Sequence, residues 1–166
     1  MNEVIDRTLR LEPLTAEAFA PFGDVIEATG DPSFLFNRGK AGRYHDLART
    51  DVTGDGRIGV SIGRAQPYTL PITLDMVERH PLGSQAFVPL GPDPFIVVVA
   101  PDEGGVPGRP RAFLTAPGQG VNYPRGLWHG VLTPLDREAA FLIVDRIGTG
   151  VNLEEHFFAE PWVIEG

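Results

Sequence analysis

Histidine and arginine carry most of the chemical capacity of this sequence, which has four histidines and no cysteine. His129 stands in the most informative setting. The stretch Gly118-Gln-Gly-Val-Asn-Tyr-Pro124-Arg-Gly126-Leu-Trp-His129-Gly-Val-Leu-Thr133 places a glycine, five residues, a Pro-x-Gly turn and two further residues ahead of it. Pro124 and Gly126 set a sharp turn, and the strand leaving it bears His129 and Val131 on one face, Trp128 and Gly130 on the other. A histidine delivered inward by such a turn can act as base, acid or metal ligand; the competing use is a core imidazole bonded to a backbone carbonyl. Lys40 is the sole lysine among 14 basic residues. The remainder are arginines, whose planar fork holds a carboxylate in bidentate fashion.

The elements that must position these residues are short strands. Glycine (20) and proline (16) punctuate brief apolar runs, as at Gly54-Asp55-Gly56, Gly91-Pro92-Asp93-Pro94 and Gly104-Gly105, a pattern of many strands joined by tight turns. The expected strands are 23–27, 57–63, 85–90, 95–100, 111–115, 121–123, 128–132 and 139–146. Ile58, Val60 and Ile62 alternate with Gly59, Ser61 and Gly63, whereas 95–100 is apolar throughout, as expected of a strand covered on both faces. One helical turn is expected over 16–20 behind an N-cap at Thr15, and a second helix over 74–79, opened by Thr73 and stopped by Pro81. So many strands with so little helix mean an all-β sandwich or barrel. The chain of 166 residues is read as a single domain, 1–166.

Formal charge is −8, with 22 acidic residues and no basic run, which argues against a nucleic-acid partner. The stretch Met1 to Arg7 does not read as a secretory leader, and no run approaches the length of a membrane helix, so a cytoplasmic protein with no membrane partner is expected.

The Gly118 to Thr133 stretch resembles the second sequence motif of the cupins. Glu78-Arg-His80-Pro-Leu-Gly-Ser-Gln85-Ala-Phe-Val-Pro-Leu-Gly91 resembles the first, with Glu78 at the first histidine position, His80 at the second and Gln85 at the glutamate position. The resemblance implies a cupin-type double-stranded β-helix (jelly-roll) barrel with one or two short helices, in which two adjoining strands offer Glu78, His80 and Gln85 toward His129. Arg43-Tyr44-His45-Asp46, Gly63-Arg64-Ala65-Gln66-Pro67, the run from Glu78 to Phe87, Gly120-Val121-Asn122-Tyr123, Trp128-His129 and Asp145-Arg146 together look like the ureidoglycolate lyase family. The likeness runs from Leu14 to Arg146, and the tail from Asn152 matches nothing in it.

What the family resemblance implies is cleavage of (S)-ureidoglycolate to glyoxylate and urea in allantoin and purine catabolism. Such a reaction needs a carboxylate clamp, a base for the hydroxyl and an acid for the leaving nitrogen. Arg64 and Arg146 are the clamp candidates, with Arg43 third. His129 or His80 serves as base, and Glu78 or Tyr123 as proton donor. A single divalent ion, for which the resemblance favours nickel, would find ligands in His80, His129, Glu78 and Gln85, the last also a substrate-binding candidate. Asp145 is expected to pair with an arginine, His45 and His156 to be solvated or structural, and Phe157, Phe158 and Trp162 to cover an open sheet face or a dimer contact. A homodimer is expected by analogy of fold. The alternatives are a hydrolase releasing ammonia and carbon dioxide, another cupin enzyme acting on a hydroxy acid or sugar, and a non-catalytic small-ligand binding protein.

Overall fold

A computed structural model describes residues 6–166. The stretch Met1 to Ile5, part of the argument against a leader, lies outside the described residues. The chain runs through β1 (Thr8–Pro13), α1 (Ala16–Phe19), β2 (Asp24–Ile26), β3 (Phe34–Phe36), β4 (Ala41–Arg43), β5 (Arg57–Ala65), β6 (Ile72–Arg79), β7 (Gln85–Pro89) and β8 (Phe95–Ala100). It continues through β9 (Asp102–Glu103), β10 (Val106–Pro107), β11 (Arg111–Leu114), β12 (Gly120–Tyr123), β13 (Trp128–His129), β14 (Thr133–Pro134), β15 (Ala139–Ile147) and β16 (Glu154–Glu165). The all-β, cupin-type expectation holds. The short helix is capped as expected, the Thr15 hydroxyl accepting from the Ala18 amide at 3.1 Å.

Two sheets carry the architecture. In one, β11, β1, β16, β6, β13 and β8 follow one another, and pairing of β8 back onto β11 closes the ring. The other orders β2, β12, β7, β15 and β5. Alternation along β8 explains how both are filled. Ile96, Val98 and Ala100 join Leu9, Ile72, Leu74, Trp128, Trp162 and Ile164 inside the ring. Phe95, Val97 and Val99 point the other way, against Phe87, Phe113, Val121, Tyr123 and Phe141 of the space between the sheets. The uniformly apolar sequence of β8 is thus a strand buried on both faces.

Three expectations are corrected. The segment 74–79 is not a helix: it belongs to β6, paired with β16 on one edge and β13 on the other. Ile72 and Leu74 are buried while Thr73 and Asp75 are exposed, a period of two that two flanking strands enforce over the helical tendency of the segment. The strand expected over 128–132 stops at His129, so Val131 does not share its face; it is exposed, while the chain turns off to re-pair as β14. The unmatched tail from Asn152 forms the longest strand, β16, with Trp162 buried in the ring core, Phe158 packed against that core and Phe157 exposed.

Phe141 is fully buried and meets Phe95 edge-on at 5.0 Å. Phe141→Ala is expected to cost about 3–5 kcal/mol, read as a lower urea midpoint at unchanged m-value.

Candidate active site

His129 lies on a strand of two residues, β13, with Glu78 opposite it on β6 and Val99 opposite it on β8. This register carries its ring into the space between the sheets, where it is 2% exposed. Nδ1 lies 3.0 Å from the carbonyl oxygen of Gly130, which can only accept, so Nδ1 holds the hydrogen and Nε2 the lone pair. Nε2 is buried without a hydrogen-bond partner. Burial holds the pKa of His129 down to about 3, the Gly130 bond opposing and His80 adding to the effect. The ring is therefore neutral near pH 7. Tyr123 of β12 stacks nearly flat on it, with centroids 4.3 Å apart and planes at 14°. Burial, reinforced by the Glu78 charge, raises the Tyr123 pKa and keeps its phenol protonated.

His80, just past the end of β6, lies 5.1 Å from His129 between ring centroids. Both its nitrogens are engaged: Nδ1 is 2.7 Å from the Asn152 carbonyl oxygen and Nε2 is 3.1 Å from Gln85 Oε1. Gln85 in turn donates from Nε2 to Asp145 Oδ2 at 3.1 Å. Glu78 Oε1 is 3.8 Å from His80 Nε2. The pKa of Glu78 is raised, chiefly by burial, with His80 pulling it down and Glu155 pushing it up. The three charged or basic groups converge because β6 and β13 are neighbours, while Gln85, Tyr123 and Asp145 reach them from β7, β12 and β15 of the facing sheet.

Glu78, His80 and His129 each offer a donor atom, and those atoms lie within 4.8 Å of one another. The open lone pair of His129, its tautomer fixed through Nδ1, suits a divalent metal. His80 suits one through Nε2 once Gln85 gives way. Gln85 itself faces His80 and Asp145 as a hydrogen-bonding bridge.

The arginines are placed elsewhere. Arg146, its side chain 3% exposed, donates to the Thr53 carbonyl at 3.1 Å, the Thr149 carbonyl at 2.9 Å and Asp55 Oδ1 at 3.2 Å. It ties the turn at Thr53–Asp55 to the segment that brings Asn152 over His80. Arg64 is exposed on β5 opposite Ala140. Arg43 is exposed on β4, its guanidinium 5.9 Å from the ring centre of Phe34. Asp145 does not pair with an arginine as expected; its partner is Gln85, because β15 turns Phe141, Ile143 and Asp145 to one face and Arg146 to the other, under the Thr53–Asp55 turn. Strict alternation from Phe141 would have revealed this. The Asn152 carbonyl left no mark in the sequence, since any residue supplies one.

Two outcomes follow from these contacts. Arg146→Leu removes three hydrogen bonds from a buried guanidinium and is expected to lower unfolding free energy by about 2–3 kcal/mol in urea titration. Because His129 has its folded pKa well below the ordinary histidine value of 6.5, the unfolded state binds the extra proton between pH 6.5 and about 3. The resulting stability is complete above pH 6.5 and falls as pH drops through that window. His129→Phe should flatten that part of the stability–pH curve, measured by unfolding at pH 7 and pH 5.

The family model described as ureidoglycolate lyase matches residues 6–165. A protein of Chelativorans sp. (strain BNC1) named ureidoglycolate lyase is 64% identical over 159 residues, covering 95% of this chain and 96% of the relative. One of Rhizobium meliloti named ureidoglycolate lyase 2 is 58% identical, covering 95% and 97%, and a ureidoglycolate lyase of Rhodobacter capsulatus is 59% identical, covering 95% and 98%. With the match running from residue 6 to residue 165, through both sheets, the chain belongs to the ureidoglycolate lyase family.

Proposed function

We propose that this chain is a carbon–nitrogen lyase that splits (S)-ureidoglycolate into glyoxylate and urea, within allantoin and purine catabolism. The observation that carries the reading is a bare, buried His129 Nε2 facing a compact set of polar side chains, in a chain so close to proteins of that name. Ureidoglycolate bears a carboxylate, a hydroxyl and the urea nitrogen on one carbon. His129 Nε2 takes the hydroxyl proton, the C–O bond becomes a carbonyl, and the C–N bond breaks. The nitrogen receives a proton from the Glu78–His80 side of the site, so urea leaves neutral and the proton count balances. The raised pKa of Glu78 favours a carboxyl that holds and releases a proton there. Tyr123 keeps the His129 ring in plane by stacking.

With a divalent ion present, Glu78, His80 and His129 would hold it instead, and its positive charge would acidify the substrate hydroxyl in place of His129 Nε2, whose single lone pair serves one role or the other. Arg146 is committed to loop carbonyls, and Arg64 shares the outer face of β5 with Val60 and Ile62, which leaves Arg43, not ion-paired among the described residues, as the clamp candidate for the substrate carboxylate.

The protein acts in the cytoplasm as a homodimer of single-domain subunits. No helix among the described residues is long and apolar enough to cross a membrane. Support for the dimer comes from the outer face of the edge strand β5, where Val60 is 70% and Ile62 is 62% exposed. They stand directly opposite Val144 and Leu142, forming an apolar patch beside an unpaired strand edge.

Incubation with racemic ureidoglycolate is expected to yield equal glyoxylate and urea from one enantiomer. His129→Ala should lower kcat at least about 100-fold. Ammonia in place of urea would overturn the lyase reading. Val60→Lys with Ile62→Lys should give a monomer in sedimentation equilibrium.

A further inference from the structure

We infer that the hairpin β3–β4 is a docking arm that lies across the mouth of a second copy's site, so that the Arg43 serving each site comes from the partner subunit. The arm stands off the body of its own chain. Among the described residues β3 and β4 pair with each other alone, and the hairpin's hydrogen bonds and ring contacts stay within residues 30–45. Phe34, Leu35 and Phe36 are all exposed, Leu35 at 62%. Phe34 lies opposite Arg43 and Phe36 opposite Ala41, so one face of the ribbon carries two phenyl rings beside a guanidinium. Arg38, Lys40 and Arg43 follow within six residues, with no acid between Phe34 and Arg43, in a chain of net charge −8.

The mouth of the site has the complementary character. His129 is buried, while the side chains of His80 and Glu78 are part-exposed, so the site opens toward β16. Glu155 stands opposite Glu78 and Phe157 opposite Met76, which continues the site's face of the sheet onto β16, where both are exposed. In the facing sheet Ser61 of β5 stands opposite the inward Ile143 and is exposed too. The opening therefore lies between β5 and β16, with Leu153 and Phe157 as its apolar rim and Glu78, Asp145 and Glu155 as its charge. A chain's own hairpin is at the wrong end for it. The hairpin returns to the sheet at β2, where the Arg49 amide donates to Asp24 Oδ2 at 3.1 Å. Strands β2 and β5 are the two ends of their sheet, four strand spacings or about 19 Å apart. A second copy seated on the Val60–Ile62 patch of β5 lies beside the opening, and its apolar, cationic ribbon matches the apolar, acidic rim. Phe34 and Phe36 settle on Leu153 and Phe157, Arg38 and Lys40 face Glu155, and the fork of Arg43 takes the substrate carboxylate.

That Arg43 meets the substrate rests on the lyase reading; the docking itself does not. Arg43→Ala is expected to raise KM for ureidoglycolate about 10- to 100-fold at an unchanged melting temperature. Heterodimers isolated through two different tags, one subunit Arg43→Ala and the other His129→Ala, are expected to regain about half the wild-type rate. The Arg43→Ala subunit keeps its own His129 and receives Arg43 from its partner. Heterodimers no faster than the two parent variants would place Arg43 at its own site and overturn the inference, as would a wild-type KM in Arg43→Ala. Should His129→Ala not fold, Glu78→Gln takes its place. If the wild type turns over no ureidoglycolate, the lyase reading fails, and crosslinking decides the docking by itself. The chain has no cysteine, so Phe36→Cys and Phe157→Cys, made as separate proteins and mixed, can be joined selectively by a short bis-maleimide. A product of twice the chain mass, absent from Phe36→Cys alone, is expected; its absence refutes the docking whatever the activity.

Discussion

Everything in this molecule hangs on strand β8 being buried from both sides. Its six residues divide strictly between two apolar spaces, three into the closed ring and three between the sheets. That arrangement needs neighbours at both edges, and β11 and β13 supply them. Because β13 must pair with β8 and β6 at once, His129 has one available direction, into the space between the sheets. The His129 imidazole is therefore oriented by hydrophobic burial two strands wide. A charge or proline anywhere along 95–100 would disturb the histidine long before it touched a polar contact.

How much of this could be read beforehand depended on whether the determining force was local. Phe95 to Ala100 announced its own burial, and Thr15 announced its helix cap, because neighbouring residues carry both signals. Pro124 and Gly126 located His129 for the same reason: Gly126 adopts a positive φ of 79° and turns the chain at that point. The segment 74–79 misled because its helical tendency is local while its strand state is imposed by β16, some 80 residues further on. The tail that forms β16 was silent by itself, its alternation broken by the register shift between Phe157 and Trp162.

At the site, the residue types were legible and their partners were not. Glu78, His80, Gln85, Tyr123 and His129 do meet. Arg146 illustrates the limit: a guanidinium suited to a substrate carboxylate is consumed by carbonyls of Thr53 and Thr149, contacts that depend on loop paths no residue pattern encodes. Polar side chains buried beside so much hydrocarbon are tolerable because nearly every one is satisfied; the exceptions among the described residues are Asn122 Oδ1, Trp162 Nε1 and His129 Nε2, of which the last lies within the Glu78–His80 cluster.

The ring of strands also has a temporal side. Strand β1 runs parallel to β16 and to β11, and the Val163 amide bonds back to the Arg7 carbonyl. Residues near the start of the chain are thus stitched to residues near position 163, and the ring stays open on the ribosome until that last strand has emerged. Until then Trp128, Leu9 and Ile72 face solvent. Ring closure thus waits on contacts distant in sequence, a topology of the slower-folding kind in which apolar surface stays open until β16 docks.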